Sequence, residues 1–234
     1  MKFRIDNQIF EKFPKLNVGI LVCSNINNQG FSEEIISLIR TREKEIQLQF
    51  SPEILSQNPK INVWREAYRS FGAKPKENKS SVENLYRGTF KDEGLRHINK
   101  IVDIYNYISL KYMVPVGGED LDKVQGDIHL TFAKENEPSV LLLGDKESRL
   151  PHEGEIIYKD EVSAICRRFN WREADRTKFT EETKNAVLVT EGLPPVNEEE
   201  IRVILGEMEG LIKKFCGGEI NQFFLNRANP EVEF

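Results

Sequence analysis

Residues 96–132, RHINKIVDIYNYISLKYMVPVGGEDLDKVQGDIHLTF, change their apolar period part-way along, and that change decides the fold. Ile98, Ile101, Val102, Tyr105 and Ile108 share one face of a helix expected over 98–112. Pro115 and Gly117–Gly118 stop it, and the glycine pair reads as a tight turn after the helix. From Asp127 the period falls to two. Short strands are expected at 127–132, 140–143, 155–159, 163–167 and 186–190, parted by turn signals at Asn136–Pro138, Gly144–Asp145 and Pro151–Gly154.

Upstream, LNVGILVC (16–23) reads as a buried strand. Ser32 caps an amphipathic helix with an acidic first turn, and NVWREAYRSF (62–71) is a short helix stopped by Gly72 and Pro75. Ser80 or Ser81 caps another. Downstream, Pro194–Pro195 breaks the chain and Asn197 caps a helix over 198–215 that Gly217–Gly218 closes. Helices, then a strand cluster, then a helix predict an α+β fold, a single domain over 1–234 with a mixed or antiparallel sheet and flanking helices. Residues 194–234 supply a C-terminal helix and a closing strand.

The chain has 234 residues, of which 39% are hydrophobic and 30% charged, which excludes global disorder. No apolar run approaches the ~20 residues that span a bilayer, so no membrane partner is expected. The first residues carry no apolar core of a secretion signal, and three unclustered cysteines suit a reducing compartment, so the expected location is cytoplasmic. The net charge of −5 rules out a sequence-blind polyanion binder, since each neutralised phosphate asks for a cation. Any contact with nucleic acid must be local.

No common catalytic motif is present. His97, His129 and His152 are scattered, no CxxC or HExxH occurs, and the glycine pair lacks the Lys-Ser/Thr of a phosphate loop, so neither a metal nor a cofactor is expected. Cys166 reads as a buried structural thiol, and GxSxG is absent. Two segments remain. WREAYRSFGAKPKENKS (64–80) sets Trp64, Tyr68 and Phe71 among Arg65, Arg69 and a lysine loop. Its aromatics could stack a base or fill the core, with the arginines paired to Glu66 and Glu83. CRRFNWREADRTKFT (166–180) crowds Arg167, Arg168, Asn170, Trp171 and Arg172 after a strand, either as planar donors and a stacking surface for a polar ligand or as a charge-paired surface hairpin.

Arg96–Tyr107 (RHINKIVDIYNY) resembles the RPxNNxVDxTNY signature of the B3/B4 domain, the editing domain of the β subunit of bacterial phenylalanyl-tRNA synthetase. The register runs on through Pro115, Asp120–Asp122, Gly126, Ala133–Glu135 and Leu141–Gly144. It resumes at Thr183–Glu191, TKNAVLVTE, which is similar to the family's TxNxLLE strand. The likeness covers residues 64–193, and the chain looks like a stand-alone member of that family. The resemblance implies hydrolysis of a mischarged aminoacyl-tRNA; the synthetase domain removes tyrosine from the tRNA for phenylalanine. An aminoacyl ester is labile, so the reaction needs a held water and an oriented ester more than a strong nucleophile.

By the same resemblance Glu191 matches the glutamate that reads the tyrosine hydroxyl. Gly117 stands where the family has the histidine of PxHAFD, and Arg168-Phe169-Asn170-Trp171 replaces its glycine-rich loop. The expected catalytic residues are Glu191 and Asn170, and the expected pocket is Gly117, Gly118, Glu119, Arg168 and Trp171. Room at 117 and negative charge from Glu119, Asp120 and Glu191 favour a polar or cationic amino acid, such as an arginine analogue of the canavanine kind, to which free-standing members have been linked. The acceptor end of the mischarged tRNA would meet Arg65, Arg69, Lys74, Lys76, Lys79 and Arg87. The alternatives are a non-catalytic paralogue that binds tRNA, a synthetase or a free amino acid, and a hydrolase of small amino-acid esters.

Overall fold

The computed structural model describes all residues, 1–234. Its elements in chain order are β1 (Lys2–Ile5), α1 (Asn7–Lys12), β2 (Asn17–Ser24), α2 (Glu33–Gln49), α3 (Pro59–Ser70), α4 (Ser81–Gly88), α5 (Lys100–Tyr112), β3 (Val116–Asp120), β4 (Ile128–Phe132), β5 (Ile156–Lys159), β6 (Ala164–Arg167), β7 (Arg172–Glu173), β8 (Ala186–Gly192), α6 (Glu198–Phe215), β9 (Glu219–Leu225) and β10 (Glu231–Glu233). The architecture is α+β. The expected mixed and antiparallel strands divide into two sheets. One has six strands in the order β10-β1-β4-β5-β6-β7, with β1 and β4 parallel, and the other has four antiparallel strands in the order β3-β8-β2-β9.

Helix starts follow the capping chemistry of the sequence. Ser32, Ser80, Asn99 and Asn197 each accept a hydrogen bond from the backbone N–H three residues on, satisfying a donor that the helix leaves open. α5 therefore begins after Asn99 rather than at Ile98, and α3 begins earlier than expected, at Pro59, capped by Asn58. No helix is long and apolar enough to cross a membrane.

Two expectations are corrected, and two elements are added. Gly117–Gly118 is not a turn but the middle of β3; α5 is ended instead by Met113 in the left-handed region, followed by Pro115. Residues 140–143 form no strand, because Val140 bridges Arg149 while Leu142 bridges Ala174, so no ladder accumulates. β1 and α1 were not foreseen in MKFRIDNQIFEKF. Phe3 and Ile5 alternate inward along β1, and Ile9 and Phe10 of α1 are buried.

The four-stranded sheet has two different faces, because successive side chains on a strand point to opposite sides. One face carries α6 at close range. A Cβ added at Gly19 of β2 would lie 2.8–2.9 Å from Ile201 and Leu205 side-chain carbons of α6, and one at Gly192 of β8 would lie 2.8–3.2 Å from Val196 and Ile201. The helix can sit this low only because those side chains are missing. The other face looks towards the six-stranded sheet. Gly19→Val should therefore lower the stability by about 1–3 kcal/mol through overpacking, read as a lower urea midpoint with an unchanged slope.

Candidate functional site

Val187, Val189 and Glu191 alternate along β8 on the face away from α6, and β3 pairs with β8 so that Glu119 lies opposite Val187 and Gly117 opposite Val189. Across from them stand Tyr158 of β5, Cys166 of β6, Glu173 of β7 and Tyr105 of α5. Together they enclose a cavity of about 430 Å³, within the size range of small-molecule sites.

Glu191 is 3% exposed and bound from the opposite sheet. Tyr158 donates its hydroxyl to Glu191 Oε1 at 2.9 Å, and Asn170 Nδ2 donates to Oε2 at 3.5 Å. Tyr68 in turn donates to Asn170 Oδ1 at 3.0 Å, which fixes the direction of the carboxamide. Burial pushes the Glu191 carboxyl up to about 8, although both hydrogen bonds pull the other way. The same burial, with the neighbouring Glu191, holds the Tyr158 phenol well above its ordinary range.

Asn170 reaches the cavity because of how the β6–β7 hairpin turns. Arg168 and Phe169 take positive φ values of 52° and 68°, conformations that typically cost about 1–3 kcal/mol each outside glycine. The turn closes with Trp171 N–H donating to the Arg167 carbonyl at 3.1 Å. It sends Phe169 inward, fully buried against Trp64 and Tyr158, and leaves Arg168 outside. Below it, Arg167 makes a buried bidentate pair with Glu155 at 2.6 and 2.9 Å.

The cavity wall is acidic. Burial pushes the Glu173 carboxyl up to about 7, against a hydrogen bond from the Gly118 N–H at 3.2 Å. Glu119 is raised well above its ordinary range by burial and then by the Glu173 charge, although the Thr177 hydroxyl and the Arg176 charge pull the other way. Glu119 Oε2 has no hydrogen-bond partner. None of the three carboxylates has a Lys, Arg or His within ion-pair distance, unlike the buried Glu83 and Glu155.

The structure brings Gly117, Gly118, Glu119, Asn170, Trp171 and Glu191 onto one cavity. Arg168 lies outside it, its guanidinium 4.4 Å from the Trp171 ring centroid and 3.4 Å from Glu155. Asp120, expected to add negative charge here, is corrected: it points to the other face of β3, accepts from Thr183 at 2.7 Å and pairs with Lys123 at 3.2 Å. Trp64 and Tyr68 fill the core rather than a surface, at 2% and 1% exposed. Arg65 and Arg87 both turn in to Glu83, and exposed Arg69 pairs with Glu66. Lys74 and Lys76 are exposed, while Lys79 is half-buried with its ammonium on the Lys76 carbonyl. A surface cleft beside the cavity shares Trp171 and Arg172 with it and adds Arg149, Arg167 and Arg168 together with Glu77, Asp145 and Glu153; Arg149 and Arg172 pair with Asp145, and Arg168 with Glu155. The cationic edge nearest the cavity thus comes from the β6–β7 hairpin more than from α3 and α4.

Over residues 63–216 the chain matches the B3/4 domain. It belongs to the B3/4 domain family. Among curated proteins, this B3/4 chain is 35% identical over 104 residues to the phenylalanine–tRNA ligase beta subunit of Fusobacterium nucleatum, covering 44% of this chain and 13% of that subunit. It is 26% identical over 117 residues to the same subunit of Francisella tularensis, covering 48% and 15%. The chain therefore spans only about one seventh of the length of these relatives. A solved N-terminal fragment of the phenylalanyl-tRNA synthetase beta subunit from Pyrococcus horikoshii is similar with a TM-score of 0.46 and 12% identity, over 95% of this chain and 53% of that one.

Glu173 and Tyr158 are cavity residues that the sequence does not single out, and Tyr105 reads from sequence only as part of an apolar helix face. Glu173 lies inside the segment quoted for its arginines, and only the pairing of Cys166 with Glu173 reveals which face it takes. Tyr158 carried no local signal.

The Glu191 carboxyl titrates at about 8 folded against an ordinary 4.5, so the folded state holds the extra proton between those values. Its stabilising contribution is complete below the ordinary value and is lost as pH rises through about 8. Glu191→Gln should therefore raise the urea midpoint, with a gain that grows from about pH 5.5 to about pH 8.5 by at most about 1.4 kcal/mol per pH unit. A gain independent of pH would contradict the assignment.

Proposed function

We propose that the protein is a trans-acting deacylase that hydrolyses the ester of a mischarged aminoacyl-tRNA carrying a polar or cationic amino acid, such as an arginine analogue. The observation that carries this reading is the Glu191 carboxylate, held between Tyr158 and Asn170 on the wall of an acidic cavity. Membership of the B3/4 family and likeness to the ligase beta subunits support an aminoacyl-tRNA as the class of substrate.

The chemistry follows from the residues present. A carboxyl titrating near the working pH is a suitable general base. In its ionised form Glu191 takes a proton from a water as the water oxygen adds to the ester carbonyl carbon. Asn170, fixed by Tyr68, turns an N–H donor towards the oxygen on which charge develops. Collapse breaks the bond to the ribose oxygen, which takes the proton back from Glu191. The amino acid and the free 3′ end leave. The side chain of the amino acid extends along Glu119 and Glu173. The ribose and preceding phosphates lie along Arg168, Arg172 and Arg149, which exchange their carboxylate partners Glu155 and Asp145 for phosphate, with Lys74, Lys76, Lys79 and Arg69 as outlying contacts. A net charge of −5 is compatible with this because only one end of the tRNA is held.

A panel of mischarged tRNAs, followed for amino-acid release, tests the reading. At least one cationic or polar aminoacyl-tRNA should be cleared faster than in buffer, and Glu191→Gln should slow that clearance by about 10²-fold or more without weakening tRNA binding. Acceleration of no pair, with tRNA binding intact, would replace the deacylase by a binding paralogue. Arg172→Ala should weaken tRNA binding and reduce its salt dependence by about one counterion.

A further inference from the structure

We propose that Gly117 and Glu173 work as a pair: the missing side chain at 117 admits the Glu173 carboxylate across the edge of β3, where Glu173 and Glu119 together hold the positively charged end of the ligand. This deepens the deacylase reading and rests on it for the identity of the ligand, but not for its charge.

The steric half of the argument is local. Glu173 comes from β7, at the edge of the six-stranded sheet, and reaches β3, at the edge of the other. Its Oε1 accepts from the Gly118 N–H at 3.2 Å. A Cβ at Gly117 would sit 2.7 Å from the same oxygen, closer than real Cβ contacts come, with the carboxylate as its sole near neighbour. Neither Gly117 nor Gly118 has a positive φ, so the backbone does not require glycine at 117. What requires it is the carboxylate. Any larger residue there pushes Glu173 off β3.

The electrostatic half concerns what the two carboxylates lack. Glu119 is 5% exposed, lines the cavity from the same face of β3 as Gly117, and leaves Oε2 without a partner. Glu173 has one hydrogen bond and no cation. Arg172, the nearest arginine in sequence, is occupied by Asp145 and the Leu143 carbonyl. Elsewhere this fold answers its buried carboxylates from within, Glu83 with two arginines and Glu155 with Arg167 and Arg168. The Thr177 hydroxyl and the more distant Arg176 charge act on Glu119 from behind, but no cation of the chain comes within ion-pair distance of either carboxylate, which leaves that place to a group that enters the cavity. An entering cation gains charge-assisted hydrogen bonds from both oxygens, while a neutral group of the same shape leaves the carboxylates to hold protons. A planar guanidinium suits the task, because its several N–H donors can serve carboxylates arriving from two different sheets. Glu191 stays separate, already held by Tyr158 and Asn170.

The test uses the full chain and two soluble probes of nearly equal shape, L-argininamide and its neutral counterpart L-citrullinamide, with affinities measured by calorimetry. Argininamide should bind the wild-type protein at least tenfold more tightly. That ratio should fall towards one in Glu173→Gln, which keeps an acceptor for the Gly118 N–H, and in Glu119→Gln. Gly117→Ala should lower it as Glu173→Gln does, and adding Gly117→Ala to Glu173→Gln should change it no further. Equal binding of the two probes by the wild-type protein would overturn the proposal, as would a ratio unaffected by Glu173→Gln. A Gly117→Ala effect that persists in the Glu173→Gln background would break the pairing. No tRNA is present in these measurements, so failure of deacylation leaves this result standing and failure here leaves deacylation to be judged by the tRNA panel.

Discussion

The hydrogen bond from Tyr158 to Glu191 joins the two sheets at the cavity, which α4 and α5 also line. β8 supplies Glu191, β5 supplies Tyr158, and the gap they bridge is the cavity. Everything else about the site is arranged around holding a carboxylate out of water there. Asn170 takes its second oxygen, Tyr68 orients Asn170, and the strained turn at Arg168–Phe169 delivers Asn170 to that position while burying Phe169 beneath it. On the far side of the same sheet, Gly19 and Gly192 let α6 press down close, which leaves the opposite face free to line the cavity. Fold and site are two faces of the same strands.

How much of this a sequence can carry depends on the range of the interaction. Helix starts were legible because a cap is a contact over three residues; Asn99 and Asn197 act as their positions suggest. The strands at 127–132 and 186–190 were legible from alternation and apolar content, and the family signature on α5 set the register that led to Glu191, Gly117 and Asn170. The glycine pair was misread for a physical reason. Glycine signals a turn locally, but here it signals the arrival of Glu173 from 55 residues away. Asp120 was placed on the wrong side because the segment was not read as a strand, and alternation decides the face only once a strand is recognised. Arg65 and Arg87 look like surface cations until Glu83 is found beneath them.

The electrostatics divide in the same manner. Buried Glu83, Glu155 and Asp160 are each met by arginine from the chain itself, and such pairs hold the scaffold at little net gain once desolvation is counted. Glu119, Glu173 and Glu191 are not met, and burial drives all three towards the neutral form. The fold pairs its structural carboxylates and leaves three without a cation in one cavity; on the proposed reading, Glu119 and Glu173 are the two that a positive ligand answers. The overall negative charge of the chain and the arginine-bearing hairpin are then compatible, one describing the whole surface and the other a single edge of the cavity.

The most direct measurement is a crystal structure with a non-hydrolysable analogue of the aminoacylated tRNA end, a 3′-deoxy-3′-arginylamino adenosine in which an amide replaces the ester. The account predicts the amide carbonyl beside Glu191 and Asn170, the guanidinium on Glu119 and Glu173, and the adenosine leaving past Trp171 towards Arg172. An analogue bound with its amino-acid portion outside the cavity, or with the guanidinium turned away from both carboxylates, would contradict it.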